Sequence, residues 1–317
     1  LKIYVAGHRG MVGSAIVREL ARVAPSDQIL VKTHQELDLT DQSRVFAFLR
    51  DEKPDYVFVA AARVGGIHAN NTYRAEFLYE NLMIQANLIN GAYQSRIRDL
   101  MFLGSSCIYP RDCPQPIKEE YLLTGPLEQT NEPYALAKIA GIKLCESYNR
   151  QYGTNFVSLM PTNLYGPGDN YDLQNSHVLP ALIAKTHLAM TEGEQSLMVW
   201  GSGTPRREFL YVDDLASACV FFMRMSLSSP GRFARDSANG LLNIGSGKDL
   251  TIAEAARLVA KVMGFEGDLA FNTTKPDGTP QKLLDVSRAH SLGWRATVDL
   301  ADGIRMAYRD YLSRLIS

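Results

Sequence analysis

No apolar run in this 317-residue chain approaches the roughly 20 residues needed to cross a bilayer as a helix, which excludes a spanning segment of that kind. Neither sign of charge dominates. With 33 basic residues against 34 acidic ones, nothing in the balance points to nucleic acid or an acidic membrane surface as a partner. Cysteine is scarce: the four present, at 107, 113, 145 and 219, show no metal-type CxxC spacing. They suit a reducing compartment better than a disulfide framework, and no metal site is expected from them. The opening Leu1-Lys-Ile-Tyr-Val-Ala-Gly7 is too short an apolar region for a signal peptide and reads as a first strand. The leading Leu suggests that a native Met is missing. Internal repeats, low-complexity tracts and long linkers are also lacking. What remains is the expectation of a soluble, cytoplasmic, globular protein, long enough for one large or two ordinary domains.

What the chain does contain is a strong rhythm. Apolar stretches at 2–6, 28–32, 56–60, 99–104 and 156–161 read as strands. Between them, helical patterns occur near 11–24, 41–50, 75–94 and 134–152. This alternation predicts an α/β fold, a Rossmann-type doubly wound parallel sheet. After Gly166-Pro-Gly-Asp-Asn170 the rhythm loosens, with helices expected near 177–190, 212–225, 251–263 and 300–315. Residues 1–168 are therefore expected to form a dinucleotide-binding domain. Residues 169–317 form mainly a smaller substrate-binding domain, with segments near 208–246 returning to the first.

Gly7-His-Arg-Gly10-Met-Val-Gly13 directly follows the first strand and opens the first helix. Glycines in that context let the backbone turn tightly and approach a pyrophosphate at a helix N-terminus. The spacing is GxxGxxG, which alone also fits a turn with no ligand. After the second strand, a NAD site usually carries an acid for the ribose 2′-hydroxyl. Here the chain reads Ile29-Leu-Val-Lys32-Thr-His34, and Arg9 sits inside the glycine turn. Basic groups pair with a 2′-phosphate, so NADP(H) is the expected cofactor, unless Lys32 and His34 are merely solvated. Asp38 and Asp41 either meet the adenine end or cap the helix starting near 41.

Tyr134 and Lys138 stand four residues apart, on one face of a helix whose first turn holds Pro133. A fixed ammonium favours phenolate, so the pair is expected to draw the tyrosine toward neutral pH, where it can protonate a carbonyl oxygen. Such pairs also arise by chance on surface helices. Ser105 follows the strand at 99–104, at the strand end that faces the ligand crevice, and is placed to hydrogen-bond the same carbonyl. Cys107 lies two residues on, and composition alone favours an inert buried thiol there.

Glycine turn, Ser105 and Tyr134-x-x-x-Lys138 together resemble the extended short-chain dehydrogenase/reductases. Longer blocks are similar to the GDP-L-fucose synthase family within them. They include Ala61-Ala-Arg-Val-Gly-Gly66, Leu103-Gly-Ser-Ser-Cys-Ile-Tyr-Pro110, Thr130-Asn-Glu-Pro-Tyr134, Met160-Pro-Thr-Asn-Leu-Tyr-Gly-Pro167, Asn175-Ser-His-Val178, Trp200-Gly-Ser-Gly-Thr-Pro205 and Lys275-Pro-Asp-Gly-Thr-Pro280. The resemblance implies epimerisation at C3 and C5 of GDP-4-keto-6-deoxy-D-mannose, then NADPH-dependent reduction at C4. It implies that Ser105 and Tyr134 bind the C4 oxygen, that Tyr134 donates the proton, and that Lys138 tunes it and holds the nicotinamide ribose. Cys107 would be the epimerisation base and His177 the opposing acid. The cofactor would meet Gly7, Arg9, Gly10, Met11, Val12, Gly13, Lys32, His34, Asp38, Leu39, Ala61, Ala62, Lys138, Pro161, Asn163, Leu164 and His177. The GDP-sugar would meet Ser105, Ser106, Cys107, Tyr134, Asn163, His177, Lys185, Trp200, Arg207 and Lys282.

The residues themselves leave plainer alternatives: a capping His177, a turn-forming Asn163, a core Trp200, surface charges at Arg207 and Lys282. His34 and Lys185 depart from the family, which carries arginines there: a neutral His34 lacks a permanent charge, which weakens exclusive use of NADPH, and Lys185 lacks arginine's bidentate fork, which loosens the phosphate contacts. The family also implies a homodimer paired through the helices at 75–94 and 134–152. Two other functions stay open: a 4-reductase or epimerase of another GDP-sugar, and a non-catalytic NADP(H)-binding regulator. The co-occurrence of Cys107 and His177 favours the bifunctional enzyme over the first, and Ser105, Tyr134 and Lys138 argue against the second.

Overall fold

Continuous apolar runs, not alternating ones, define the central strands, as a parallel sheet covered on both faces requires. The computed structural model of the chain describes residues 1–173, 176–231, 240–275 and 277–316. Asn175 and Pro276, quoted in the motifs above, lie outside the described residues. Strand β1 (Lys2–Ala6), β2 (Gln28–Leu30), β3 (Tyr56–Val59), β4 (Asp99–Leu103), β5 (Asn155–Pro161) and β9 (Leu241–Ile244) make one sheet in the order β2-β1-β3-β4-β5-β9. Every pairing in it is parallel. All seven residues of β5 are buried. β2 ends two residues earlier than expected, where Val31 is already exposed and Thr33 to Glu36 form a turn.

Helices cover both faces. On one, α1 (Met11–Val23) and α7 (Val212–Ser228) bury Ile16, Leu20, Leu215 and Phe222 against Ile3, Val5 and Phe58. On the other, α2 (Gln42–Glu52), α4 (Arg74–Gln94), which follows the short α3 (Ile67–Thr72), and α5 (Glu132–Tyr152) pack Leu49, Leu88 and Ile142 on Val57, Phe102 and Phe156. Burial of a side chain of this size stabilises by about 1.5–3 kcal/mol, so the two faces dominate the energetics. α7 and β9 thus return to the first sheet from late in the sequence.

A second core lies beyond β5. Between β6 (Asn163–Tyr165) and β8 (Arg206–Tyr211) the chain forms α6 (Val178–Glu192) and β7 (Ser196–Trp200). Strand β8 pairs with β6, β10 (Asp249–Thr251) and β12 (Gln281–Lys282), while β7 pairs with β11 (Asp268–Asn272). Helices Ile252–Met263 and Leu300–Ile316 close this unit over Leu182, Ile183, Val199 and Val259. Among the described residues no helix is long and apolar enough to cross a membrane.

Candidate functional site

The sheet order reverses between β1 and β3, so the crevice opens at their carboxyl ends. Gly7, the residue after β1, has φ +87°, and a Cβ there would lie 2.7 Å from the Ala61 backbone after β3. Gly13 is as constrained: its Cβ would meet the Gly7 carbonyl oxygen at 2.2 Å. The Gly10 amide closes the turn on that oxygen at 3.0 Å. Gly10 also caps α1 without a side chain, and no acid occupies the first turn. The leading amides of α1 are therefore free to bind an anion, as a pyrophosphate site needs.

Around the rim, the expected cofactor residues divide. Met11 and Val12 pack partly into one core cluster, Leu39 and Ala61 into the other. Arg9 and Lys32 both act on the Glu36 carboxylate, an acid the sequence reading passed over. Glu36 is held by the Thr33 amide (2.7 Å) and hydroxyl (2.8 Å), bonds that keep its carboxyl below the ordinary range. His34 Nδ1 lies 3.9 Å from Asp38, whose Oδ1 accepts from the amide and hydroxyl of Thr40. Asp41 takes the capping role: its side chain accepts from the Arg44 amide at the start of α2. The residues present fit NADP(H): an uncapped helix end for the diphosphate, and basic groups beside it for a further phosphate.

At the end of β4, Gly104 donates to Leu159 O, which ties the following loop to β5. Ser105 opens a 3-10 turn, Ser106–Ile108, and its Oγ accepts from the Cys107 amide at 3.4 Å. Ser106 and Cys107 are buried. Helix α5 brings Tyr134 and Lys138 over this loop, held to α4 where Gln85 donates to Ala137 O. The Tyr134 ring meets Phe77 edge-on, with centroids 6.4 Å apart. Lys138 Nζ donates to Leu103 O at 2.7 Å and stands 4.8 Å from the Phe102 ring centre and 5.7 Å from that of Tyr134.

Electrostatics at this point correct one expectation. Burial pushes the Tyr134 phenol well above its ordinary value, and Cys107 adds to the rise. Burial likewise lowers Lys138 to about 8, with Cys107 opposing. The phenol is thus a protonated donor at neutral pH, and the ammonium does not draw it toward phenolate.

Cys107 shares a small pocket with Lys282, Glu128, Asn131 and Gln281. Burial raises the thiol; Lys282 is the largest opposing influence, followed by the Ser105 hydrogen bond. Lys282 in turn stands directly opposite Arg207 in the β12–β8 pairing, and burial lowers both cations. His177 precedes α6, which it caps only through its carbonyl, accepting from the Ala181 amide at 3.1 Å. The residue is exposed, yet the protein packed around it, then Lys282, lowers its imidazole. Lys282 therefore acts on both candidate proton-exchange groups.

Asn163 Nδ2 donates to Glu208 O at 2.8 Å, with Pro161 and Leu164 beside it at the end of β5 and in β6. Further out, the Trp200 ring has two cations near it, with Lys185 Nζ at 4.1 Å and Lys275 Nζ at 4.8 Å from its centre. Burial and the repulsion of Lys275 lower Lys185 to about 8. The Asp277 turn links this cluster to the inner cations. Its carboxylate accepts from the Ser202 amide and hydroxyl, and its carbonyl from Arg207 Nη2. Sequence reasoning singled out neither Lys275 nor the acceptors Glu128 and Asn131. The runs Lys275-Pro-Asp-Gly and Thr130-Asn-Glu-Pro-Tyr134 were signals for Lys275 and Asn131; nothing local signalled Glu128.

Residues 3–236 match the model of the NAD dependent epimerase/dehydratase family. The chain is 55% identical over 316 residues to GDP-L-fucose synthase 1 of Arabidopsis thaliana, covering 99% of this chain and 94% of that relative. It is 51% identical over 311 residues to the GDP-L-fucose synthase of Escherichia coli K12, covering 98% and 96%. Among solved structures, a GDP-mannoheptose C4 reductase from Campylobacter jejuni with NADP bound aligns at TM-score 0.88 and 40% identity, over 98% of each chain.

Proposed function

Because the chain belongs to the NAD dependent epimerase/dehydratase family, and relatives over nearly its whole length carry the name GDP-L-fucose synthase, we propose that it is an NADPH-dependent enzyme converting GDP-4-keto-6-deoxy-D-mannose to GDP-L-fucose. The observation that carries this reading is a second proton-exchange group, Cys107, beside the Ser105–Tyr134–Lys138 constellation. A simple reductase needs only one proton donor. The 4-ketone acidifies the hydrogens at C3 and C5, and their inversion needs a base on one face and an acid on the other. Ser105 and the un-ionised Tyr134 donate to the C4 oxygen, stabilising the enolate and then the alkoxide. Cys107 removes the proton, helped by Lys282 against the effect of burial, and His177 returns one from the opposite face. Bound NADPH supplies the hydride. Lys138 holds the ribose; Arg207, Lys185 and Trp200 hold the GDP portion.

In this reading residues 1–168, with α7 and β9, form the cofactor domain and the remainder mainly the substrate domain. The reading includes a cytoplasmic homodimer, paired through α4 and α5, which leave Tyr79 and Leu136 exposed. A monomer mass by light scattering contradicts the dimer. A second reading, reduction of another GDP-sugar, draws on the likeness to the heptose C4 reductase. Two variants test the roles. Tyr134→Phe lowers NADPH oxidation by about 10²–10⁴-fold with cofactor binding kept; normal turnover removes it as proton donor. Cys107→Ser lowers solvent-deuterium uptake at C3 and C5, and unchanged uptake removes it as base.

A further inference from the structure

Asn131 occupies the N-cap position of α5, where an asparagine ordinarily accepts a hydrogen bond from the first turn. It makes no such bond. Its Oδ1 is buried without any hydrogen-bond partner and lines the pocket that holds Cys107 and Lys282. Three residues earlier, Glu128 lines the same pocket, and its Oε2 is also buried with no hydrogen bond. That oxygen has Arg111 Nε at 3.4 Å as an ion-pair neighbour, while Oε1 accepts from Thr130 at 3.4 Å. The two residues belong to one turn, closed by the Asn131 amide on Glu128 O at 3.3 Å. Arg74 anchors that turn to α4, donating to Gln129 O at 2.8 Å.

Buried polar atoms in native proteins nearly always find partners, and one left alone costs much of its desolvation. Two buried acceptors come from a single anchored turn, Asn131 Oδ1 with no partner and Glu128 Oε2 with only the Arg111 ion pair, and both face the pocket of a candidate catalytic thiol, where a ligand can supply donors. A hexose ring carries them as hydroxyls. We propose that Asn131 and Glu128 form a sugar-hydroxyl clamp, which accepts hydrogen bonds from the C2 and C3 hydroxyls of the keto-hexose and fixes the ring over Cys107. This rests on the proposed reaction at the same site. The clamp makes Asn131 and Glu128 specificity-determining residues: they select hydroxylated over deoxy sugars, and they leave the chemistry at C4 to Ser105 and Tyr134.

The test compares NADPH oxidation on GDP-4-keto-6-deoxy-D-mannose with that on its 2-deoxy and 3-deoxy analogues. The original enzyme disfavours at least one analogue by about 10–100-fold in kcat/KM, since the acceptor is then left unpaired. Asn131→Ala and Glu128→Gln each reduce that preference to below about threefold, by losing activity on the hydroxylated sugar and keeping it on the analogue. A merely structural role would lower all three sugars alike. Unchanged preference in both variants, or a uniform loss, overturns the clamp. Because Asn131 makes no capping bond, Asn131→Ala should fold; Glu128→Gln reads the same outcome if it does not. Failure of the original enzyme to oxidise NADPH with any of the sugars would instead overturn the proposed reaction.

Discussion

Replacing Lys138 by methionine should separate stability from activity. Lys138 is 4% exposed, and burial lowers its ammonium from 10.5 to about 8. A depression of that size sets roughly 3 kcal/mol against the protonated form at pH 7. Methionine removes that penalty and fills much of the same volume. Against it stand the buried Leu103 carbonyl, which loses its donor at a cost of about 1–3 kcal/mol, and the ammonium–Phe102 contact, worth about 1 kcal/mol. At pH 7 the opposing effects nearly cancel, so the variant should lie within about 2 kcal/mol of the original protein. The pH dependence is sharper. Between pH 8 and 10.5 the unfolded chain holds the lysine proton more tightly than the folded one. The original protein therefore gains stability relative to Lys138→Met as pH rises, by about 3 kcal/mol in full. Urea unfolding of both proteins at pH 7, 8, 9 and 10 isolates this group, since other titrations cancel in the difference. Turnover should fall throughout. A stability difference that stays flat with pH would refute the burial argument, and full turnover would remove Lys138 from the site.

Gly13→Ala places a Cβ 2.2 Å from the Gly7 carbonyl, so the cofactor turn must open. NADPH affinity should drop by more than about tenfold and stability by about 1–3 kcal/mol, read by fluorescence titration and urea unfolding; an unchanged affinity would contradict the cradle. Lys282→Met removes the cation that opposes burial at Cys107, so the thiol rises further. The pH profile of deuterium uptake at C3 and C5 should move to higher pH, and a profile that stays in place would take Lys282 out of that role.

Local patterns made much of the large sheet legible. The apolar runs at 2–6 and 99–103 needed no knowledge of distant residues, because strands covered on both faces are apolar throughout. The glycine turn was legible for the same reason: Gly7, Gly10 and Gly13 meet one another within a single turn. The small sheets were not. Strand β12 is two residues long and exists because Gln281 and Lys282 pair with Arg206 and Arg207, some 75 positions earlier. Its Lys282 reaches Cys107 only through that pairing, so spacing could not reveal the connection. The direction of the Tyr134 shift was misread on similar grounds. Lys138 is its neighbour in sequence, but the burial that governs the phenol comes from residues on other elements, Phe77 among them. Helix α5 begins two residues ahead of the start expected at 134, which makes Asn131 its N-cap; that its side chain makes no capping bond and lines the Cys107 pocket shows only in three dimensions.

The most direct test of the central claim mixes the purified protein with NADPH and GDP-4-keto-6-deoxy-D-mannose, follows NADPH absorbance, and determines the product's configuration at C3, C4 and C5. The account predicts a substrate-dependent fall in NADPH and a sugar inverted at C3 and C5 and reduced at C4. A folded, NADPH-binding protein that leaves NADPH unconsumed, or that reduces C4 without inverting C3 and C5, would contradict it.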